Sequence, residues 1–348
     1  MTELETARLD ALDRRLLDLM QRGVPLVPRP FPALARELDA SEDEILARAR
    51  RLKEVGIIRQ IGPIFSSRRL GYQSTLAAFH VEPERIDTVA DVVSAHPGVS
   101  HNYSRNHFYN LWFTLTLPPE KSLEDEIDRI AAEAGVDDTI NLPSQRRFKL
   151  GVHFAMSQDS GGDRGGRTSS SRKNRAGPER RQDSEIPAIN DVERTVIRVL
   201  QGDMPIKARP FREPAEEAGL SEEALLRIAD DLEERGVMRR FSAVLRHRRA
   251  GYTANGMGCW VVPEEEIVEA GRRAAAFPAV SHCYQRPAHP PHWPYNLFTM
   301  IHGRGRDEVE DIVARINREI GPFEHRVLYS QKEYKKERVK YFVEDETG

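Results

Sequence analysis

Two short stretches of the chain carry the residues that could do chemistry. Residues 100–105 read SHNYSR and residues 281–286 read SHCYQR. His101, Tyr103 and Arg105 alternate, as do His282, Tyr284 and Arg286, so in extended chain each trio projects from one face. An imidazole, a phenol and a guanidinium side by side can hold an anionic group and move a proton to or from it. A single strand histidine is ordinarily a structural residue. One that stands beside the same Tyr and Arg at two places in one chain is not explained by packing. His107 follows the first trio, and His289 and His292 follow the second in a proline-rich loop. His96, His153, His302 and His325 read as structural. Zinc is a weak reading, because no carboxylate or thiol sits at ligand spacing and Cys283 must point opposite His282.

The trios recur because the chain contains one unit twice. Residues 21–72 (QRGVPLVPRPF…SEDEILARARRLKEVGIIRQ…RRLGY) match residues 201–252 (QGDMPIKARPF…SEEALLRIADDLEERGVMRR…RRAGY) at a constant shift. PGVSHNY then matches PAVSHCY, and YNLWFT matches YNLFT. A repeat of this size implies two like domains related by a pseudo-twofold, an intramolecular pseudo-dimer.

Composition bounds the partners. The 348 residues hold 52 basic and 55 acidic side chains, a net charge of −3, so no global basic field is available for nucleic acid. The apolar runs are strand-sized and the N-terminus is acidic and polar, which predicts no membrane span and a cytoplasmic protein. The two cysteines, Cys259 and Cys283, read as buried free thiols.

Within each copy the periodicity changes once. The spacing of Leu9, Leu12, Leu16, Leu17 and Met20 predicts a helix, and a second follows over 31–38. Ser41 and Glu44 predict a capping box for a third, which Gly56 stops. IIRQIGPIF, and VMRRFSAVL in the second copy, then read as wings, so each copy opens as a winged helix-turn-helix. After RRLGY and RRAGY the pattern becomes βαββαβ, the ferredoxin-like plan, followed by basic tails over 144–154 and 330–342. The fold class is α+β: a tandem duplication with winged helices at 1–72 and 188–252 and ferredoxin-like domains at 73–156 and 253–348. Between the copies, 157–187 is rich in Gly, Ser and mixed charge and reads as a flexible linker.

The recognition helices do not look made for DNA. They begin Ser41-Glu42-Asp43-Glu44 and Ser221-Glu222-Glu223, carboxylates that would face phosphates. Arg48, Arg50, Arg51 and Lys53 read as a solvated or partner-facing side. The wing arginines are better placed for a ligand: Arg59, Arg239 and Arg240 follow apolar GII and GVM runs. Arginine forks bind carboxylates bidentately, and Lys149 and Lys335 of the tails would add charge. Arg246 belongs to the same basic set, and Arg68, Arg69, Arg248 and Arg249 read as guards of a strand edge.

This architecture resembles the AsnC/Lrp regulators. The finer set RPF, GIIRQIGPIF, GVMRRFSAVLRHRRAGY, VSHNYSRNHFYNLWFT and SHCYQRP…WPYNLFTM resembles the siroheme decarboxylase family, as two subunits fused. The resemblance implies removal of two acetate carboxyl groups from siroheme, giving didecarboxysiroheme for haem d1 or the alternative haem pathway. His101, His282, Tyr103 and Tyr284 are then the proton donors. Arg59, Arg239, Arg240, Arg105, Arg286, His107, His289, Lys149 and Lys335 bind substrate. Trp112, Phe113, Trp293 and Phe298 supply an apolar wall. No cofactor or resident metal is required, siroheme being the substrate, and a histidine is available to its iron. The partners implied are siroheme and downstream haem-pathway enzymes, with no specific DNA and no membrane, and with further homodimerisation open. The alternatives are an Lrp-type ligand-responsive transcription regulator and a non-catalytic tetrapyrrole sensor.

Overall fold

The computed structural model describes residues 9–150, 186–245 and 254–343. In the first copy the elements are α1 (Ala11–Arg22), α2 (Phe31–Leu38), α3 (Glu42–Glu54), β1 (Ile58–Phe65), β2 (Gln73–Phe79), α4 (Ile86–Ala95), β3 (Val99–Arg105), β4 (Leu111–Leu117), α5 (Leu123–Ala134), β5 (Thr139–Pro143) and β6 (Arg146–Leu150). The second gives α6 (Asp191–Leu200), α7 (Arg212–Glu217), α8 (Glu222–Glu234), β7 (Met238–Leu245), β8 (Ala254–Trp260), α9 (Ile267–Ala276), β9 (Val280–Gln285), β10 (Leu297–Gly303), α10 (Arg306–Ile320) and β11 (His325–Lys336). The expected linker, except its last two residues, lies outside the described residues, as do His153, Arg246, Arg248 and Arg249.

These elements group by kind rather than by copy. One compact unit gathers both helix-turn-helix segments and the other gathers both ferredoxin-like segments. In the first unit the local signals act as expected. Asp10 and Asn190 cap α1 and α6, each in a reciprocal box with the residue three further on. Gly56 and Gly236 take φ of 72° and 70°, the left-handed conformation that ends α3 and α8. One expectation is corrected. Ser41 accepts from the Glu44 amide, but the Glu44 carboxylate turns to Arg48 at 2.9 Å, so only half of that capping box forms. The wings are single strands that pair with each other, β1 antiparallel to β7, because each would otherwise leave its backbone unpaired.

The basic residues of α3 are spent inside this unit. Arg48 and Arg51 both bind the buried Asp13, at 2.9 and 2.6 Å. Arg50 donates to the Ile206 carbonyl at 2.9 Å, and Lys53 pairs with Asp203, both in the other copy. No specific binding of duplex DNA at physiological salt is therefore expected. A steep, sequence-specific, salt-dependent titration on the host's own promoter DNA would contradict this.

The second unit is one nine-stranded sheet in the order β5-β2-β4-β3-β11-β8-β10-β9-β6. Each half has the ferredoxin-like order, and each is extended by the tail of the other. β6 of the first copy pairs with β9. β11 first pairs with β8 over His325–Tyr329 and then continues along β3 from Ser330 to Lys336. The basic tails are thus strands exchanged between the copies. Helices α4 and α5 bury Phe79, Val89, Phe113 and Ile127 over the first half, and α9 and α10 bury Trp260, Leu297, Val313 and Ile316 over the second. A third core joins the copies on the face away from the helices, where Trp112, Leu142 and Ala78 pack with Trp293, Phe298, Met257 and Leu328. Cleaving the chain within 161–181 is expected to leave the halves co-migrating on a sizing column. Separation into free halves would show that the linker, and not this exchange, holds them.

Candidate active site

The first trio lies on β3 and the second on β9 and the residue that follows it, and their orientation follows from their neighbours. Asn102 is fully buried and donates to the Ala90 carbonyl of α4, and the Cys283 thiol reaches the Gly271 carbonyl of α9. By alternation His101, Tyr103 and Arg105, and His282, Tyr284 and Arg286, take the face away from the helices. A β-bulge between Val99 and His101, and its twin between Met300 and Ile301 opposite Ser281, then re-aims one serine in each copy beside its histidine. Ser100 Oγ lies 3.0 Å from His101 Nδ1, and Ser281 Oγ lies 2.8 Å from His282 Nδ1. In each copy the serine thus engages its histidine through Nδ1.

Each tyrosine stands next to its histidine, ring centroids 6.2 Å apart in both copies. The arginines brace the tyrosines. Arg105 lies 5.8 Å from the Tyr103 ring and Arg286 lies 4.9 Å from the Tyr284 ring. Their guanidinium groups also donate across the copies, Arg105 to the Leu328 carbonyl at 3.1 Å and Arg286 to the Leu142 carbonyl. Burial lowers the pKa of both, that of Arg286 to about 10. This corrects the expectation that they clamp a substrate carboxylate. They are held on backbone carbonyls beneath the tyrosine rings.

Lys149 and Lys335 are corrected more sharply. Register sets Lys335 opposite Asn102 and Lys149 opposite Cys283, which is the helix side of the sheet. There Lys335 donates to the Ser94 and His96 carbonyls at 2.7 and 3.2 Å, and Lys149 to the Phe277 carbonyl at 2.8 Å, neutralising helix C-termini. The tail lysine on the histidine face is Lys336, opposite His101.

The loop histidines form a separate group where the two hairpins meet. His107 sets its ring edge-on to Trp293 at 5.0 Å, and burial lowers its pKa to about 4. His289 donates from Nε2 to the Asn141 carbonyl at 2.9 Å. His292 stacks on Phe108 at 4.0 Å, and His80 stacks on Phe108 at the same distance. Of the aromatic wall, Trp112, Trp293 and Phe298 are on the histidine side, whereas Phe113 belongs to the helix-side core. Arg59, Arg239 and Arg240 sit on β1 and β7 of the other unit. Arg240 is half-buried with its pKa lowered by that burial, and Arg239 is exposed.

One residue read as structural from sequence proves to adjoin the site. His302 Nε2 lies 2.8 Å from Ser281 Oγ, and its Nδ1 lies 2.6 Å from Asn255 Oδ1. Burial first, then the charge of Lys336, pushes its pKa down to about 4. The signal that could have found it is a difference between the repeats. Strand register matches His302 with Thr116, so the second copy has an imidazole where the first has a hydroxyl. Among the described residues, no group of three or more His, Cys, Asp or Glu could hold a metal ion, and no helix is long and apolar enough to cross a membrane.

Comparison with known proteins agrees with this arrangement. Residues 69–149 and 249–335 match the AsnC-like ligand binding domain family, and residues 13–59 and 193–239 match the siroheme decarboxylase NirDL-like HTH domain family. The siroheme decarboxylase alpha subunit of Desulfovibrio desulfuricans is 44% identical, covering 44% of this chain and 88% of its own length. The crystal structure of the siroheme decarboxylase NirDL, also solved in co-complex with an iron-uroporphyrin III analogue, is 38% identical, covers 96% of this chain and 95% of its own, and superposes with a TM-score of 0.72. The siroheme decarboxylase of Hydrogenobacter thermophilus is 42% identical over 95% of both chains. Likeness of that degree along nearly the whole length means that this chain belongs to the siroheme decarboxylase family.

Proposed function

We propose that the chain removes acetate carboxyl groups from siroheme as CO2, on the sheet face that carries the His–Tyr–Arg trios. The observation that carries this reading is the repeated pair of a Ser-anchored histidine and an arginine-braced tyrosine. When the bond between the exocyclic carbon and the carboxylate breaks, CO2 leaves and the electron pair stays on that carbon, spread into the ring. A proton must then reach the carbon to give a methyl group. His282 or His101 delivers it from Nε2, with Tyr284 or Tyr103 beside it. Lys336, standing opposite His101, supplies a cation on the same face for the carboxylate. Trp112, Trp293 and Phe298 make the neighbouring surface apolar, which favours a neutral product over a charged substrate.

The balance of this step needs no oxidant and no reductant, so siroheme is read as substrate and no further cofactor is invoked. A cytoplasmic location goes with this reading, and Cys259 and Cys283 are buried free thiols. Anaerobic incubation of the purified chain with siroheme, followed by mass spectrometry, is expected to show successive loss of two CO2. Recovery of unchanged siroheme bound to the protein would favour a sensor instead.

A further inference from the structure

The second copy holds a hydrogen-bonded chain that the reaction as written does not use. It runs from His282 Nδ1 to Ser281 Oγ at 2.8 Å, on to His302 Nε2 at 2.8 Å, and from His302 Nδ1 to Asn255 Oδ1 at 2.6 Å. The proton arrangement follows from its far end. The Asn255 amide oxygen can only accept, so His302 carries its proton on Nδ1 and offers the Nε2 lone pair. The Ser281 hydroxyl has one proton and two acceptors within reach, the His302 lone pair at 2.8 Å and the Met300 carbonyl at 3.2 Å; the shorter contact takes it, and the serine oxygen then accepts from His282, which presents Nδ1–H. His302 stays neutral and therefore remains an acceptor, since burial and Lys336 both oppose its protonation.

We infer that His302 is a positioning residue which, through Ser281, holds the proton of neutral His282 on Nδ1, so that Nε2 is the nitrogen that takes up and delivers the transferred proton. The inference rests on the reading of His282 as the proton donor. In that step the Nε2–H bond of the His282 imidazolium breaks as the new C–H bond forms. The histidine left behind is the neutral Nδ1–H form that the chain already holds, and it regains its proton from solvent. No ring or chain rearrangement accompanies the transfer. The first copy lacks the device. Register puts Thr116 at the place of His302 and Ser74 at the place of Asn255, and the Thr116 hydroxyl donates to Ser74 at 3.0 Å. Behind the serine of His101, the position of the His302 imidazole is thus taken by a threonine hydroxyl. The two copies differ in how firmly one tautomer is imposed, which is a physical reason for them to divide the work.

The test uses the full chain with 15N-labelled histidine, without substrate, and reads the His282 tautomer from its two-bond proton–nitrogen correlations, assigned by their loss in His282→Ala. The wild type is expected to show His282 with Nδ1–H. His302→Thr, which copies the residue of the first repeat, and Ser281→Ala are expected to move it toward Nε2–H. His302→Gln, which keeps an acceptor oxygen for the Ser281 hydroxyl, is expected to retain the wild-type form. Retention of Nδ1–H in His302→Thr would overturn the inference, since the Met300 carbonyl, 3.2 Å from Ser281 Oγ, would then suffice as acceptor for the serine hydroxyl. Single-turnover decarboxylation by the same variants separates the two claims. A tautomer shift with a roughly tenfold or larger fall in rate supports both. A tautomer shift at unchanged rate upholds the role of His302 and removes His282 as the proton donor.

Discussion

His282→Ala is expected to slow decarboxylation by about a hundredfold or more, the range typical of losing a positioned general acid, and to cost more than His101→Ala. Both histidines lie on the same sheet face with a serine on Nδ1 and a tyrosine 6.2 Å away. The difference lies behind them. His282 is backed by a serine that is itself tied to His302 and to the Met300 carbonyl, whereas in the first copy strand register puts Thr116 where His302 stands. Rates measured with siroheme, and the ratio of mono- to didecarboxylated product, check the order of the two effects. Full didecarboxylation at wild-type rate by both variants would put the proton donor elsewhere, and Tyr103 and Tyr284 would be tested next.

A second large effect is expected on stability. Trp112 is 1% exposed, donates from its indole nitrogen to the Tyr109 carbonyl at 2.6 Å, and packs on Trp293 with centroids 4.8 Å apart. Trp112→Ala is expected to cost about 3–5 kcal/mol, the usual range for removing a buried tryptophan. The loss falls on the core that joins the two copies, so the variant should also be the one whose halves separate after cleavage within 161–181. Phe113→Ala removes a residue just as buried from the core beneath α4 and α5, within the first copy. It should lower the denaturation midpoint while leaving the cleaved halves together. Co-migration of cleaved Trp112→Ala halves would mean that strand exchange alone suffices.

The sequence made legible what depends on neighbours along the chain. The helices show through their apolar period and their caps, and the ferredoxin-like strands through runs such as Leu111–Leu117. The trios show because a strand places alternate residues on one face, whatever its partners. The exchanged tails stayed hidden because nothing local marks them. β6 is short and charged, and its partner β9 lies more than a hundred residues away. The assignment of Lys335 failed for a related reason. A bulge beside Lys335 shifts the β11–β3 register, so which of two adjacent lysines faces the histidine depends on the tertiary pairing. The arginines of the trios were read by charge alone, which cannot reveal that a carbonyl of the opposite copy waits within reach.

The reciprocal strand exchange also sets a timetable for synthesis. β3 leaves the ribosome early, yet the strand that covers its open side, β11, is translated about 230 residues later, a delay of roughly ten to fifty seconds at about 5–20 residues per second. Through that interval the first repeat can assemble its helices and its own four strands but must keep one sheet margin bare, and such margins recruit other nascent chains. Carrying both repeats on one polypeptide answers that hazard, since the completing strand arrives on the same molecule and need not be found by diffusion.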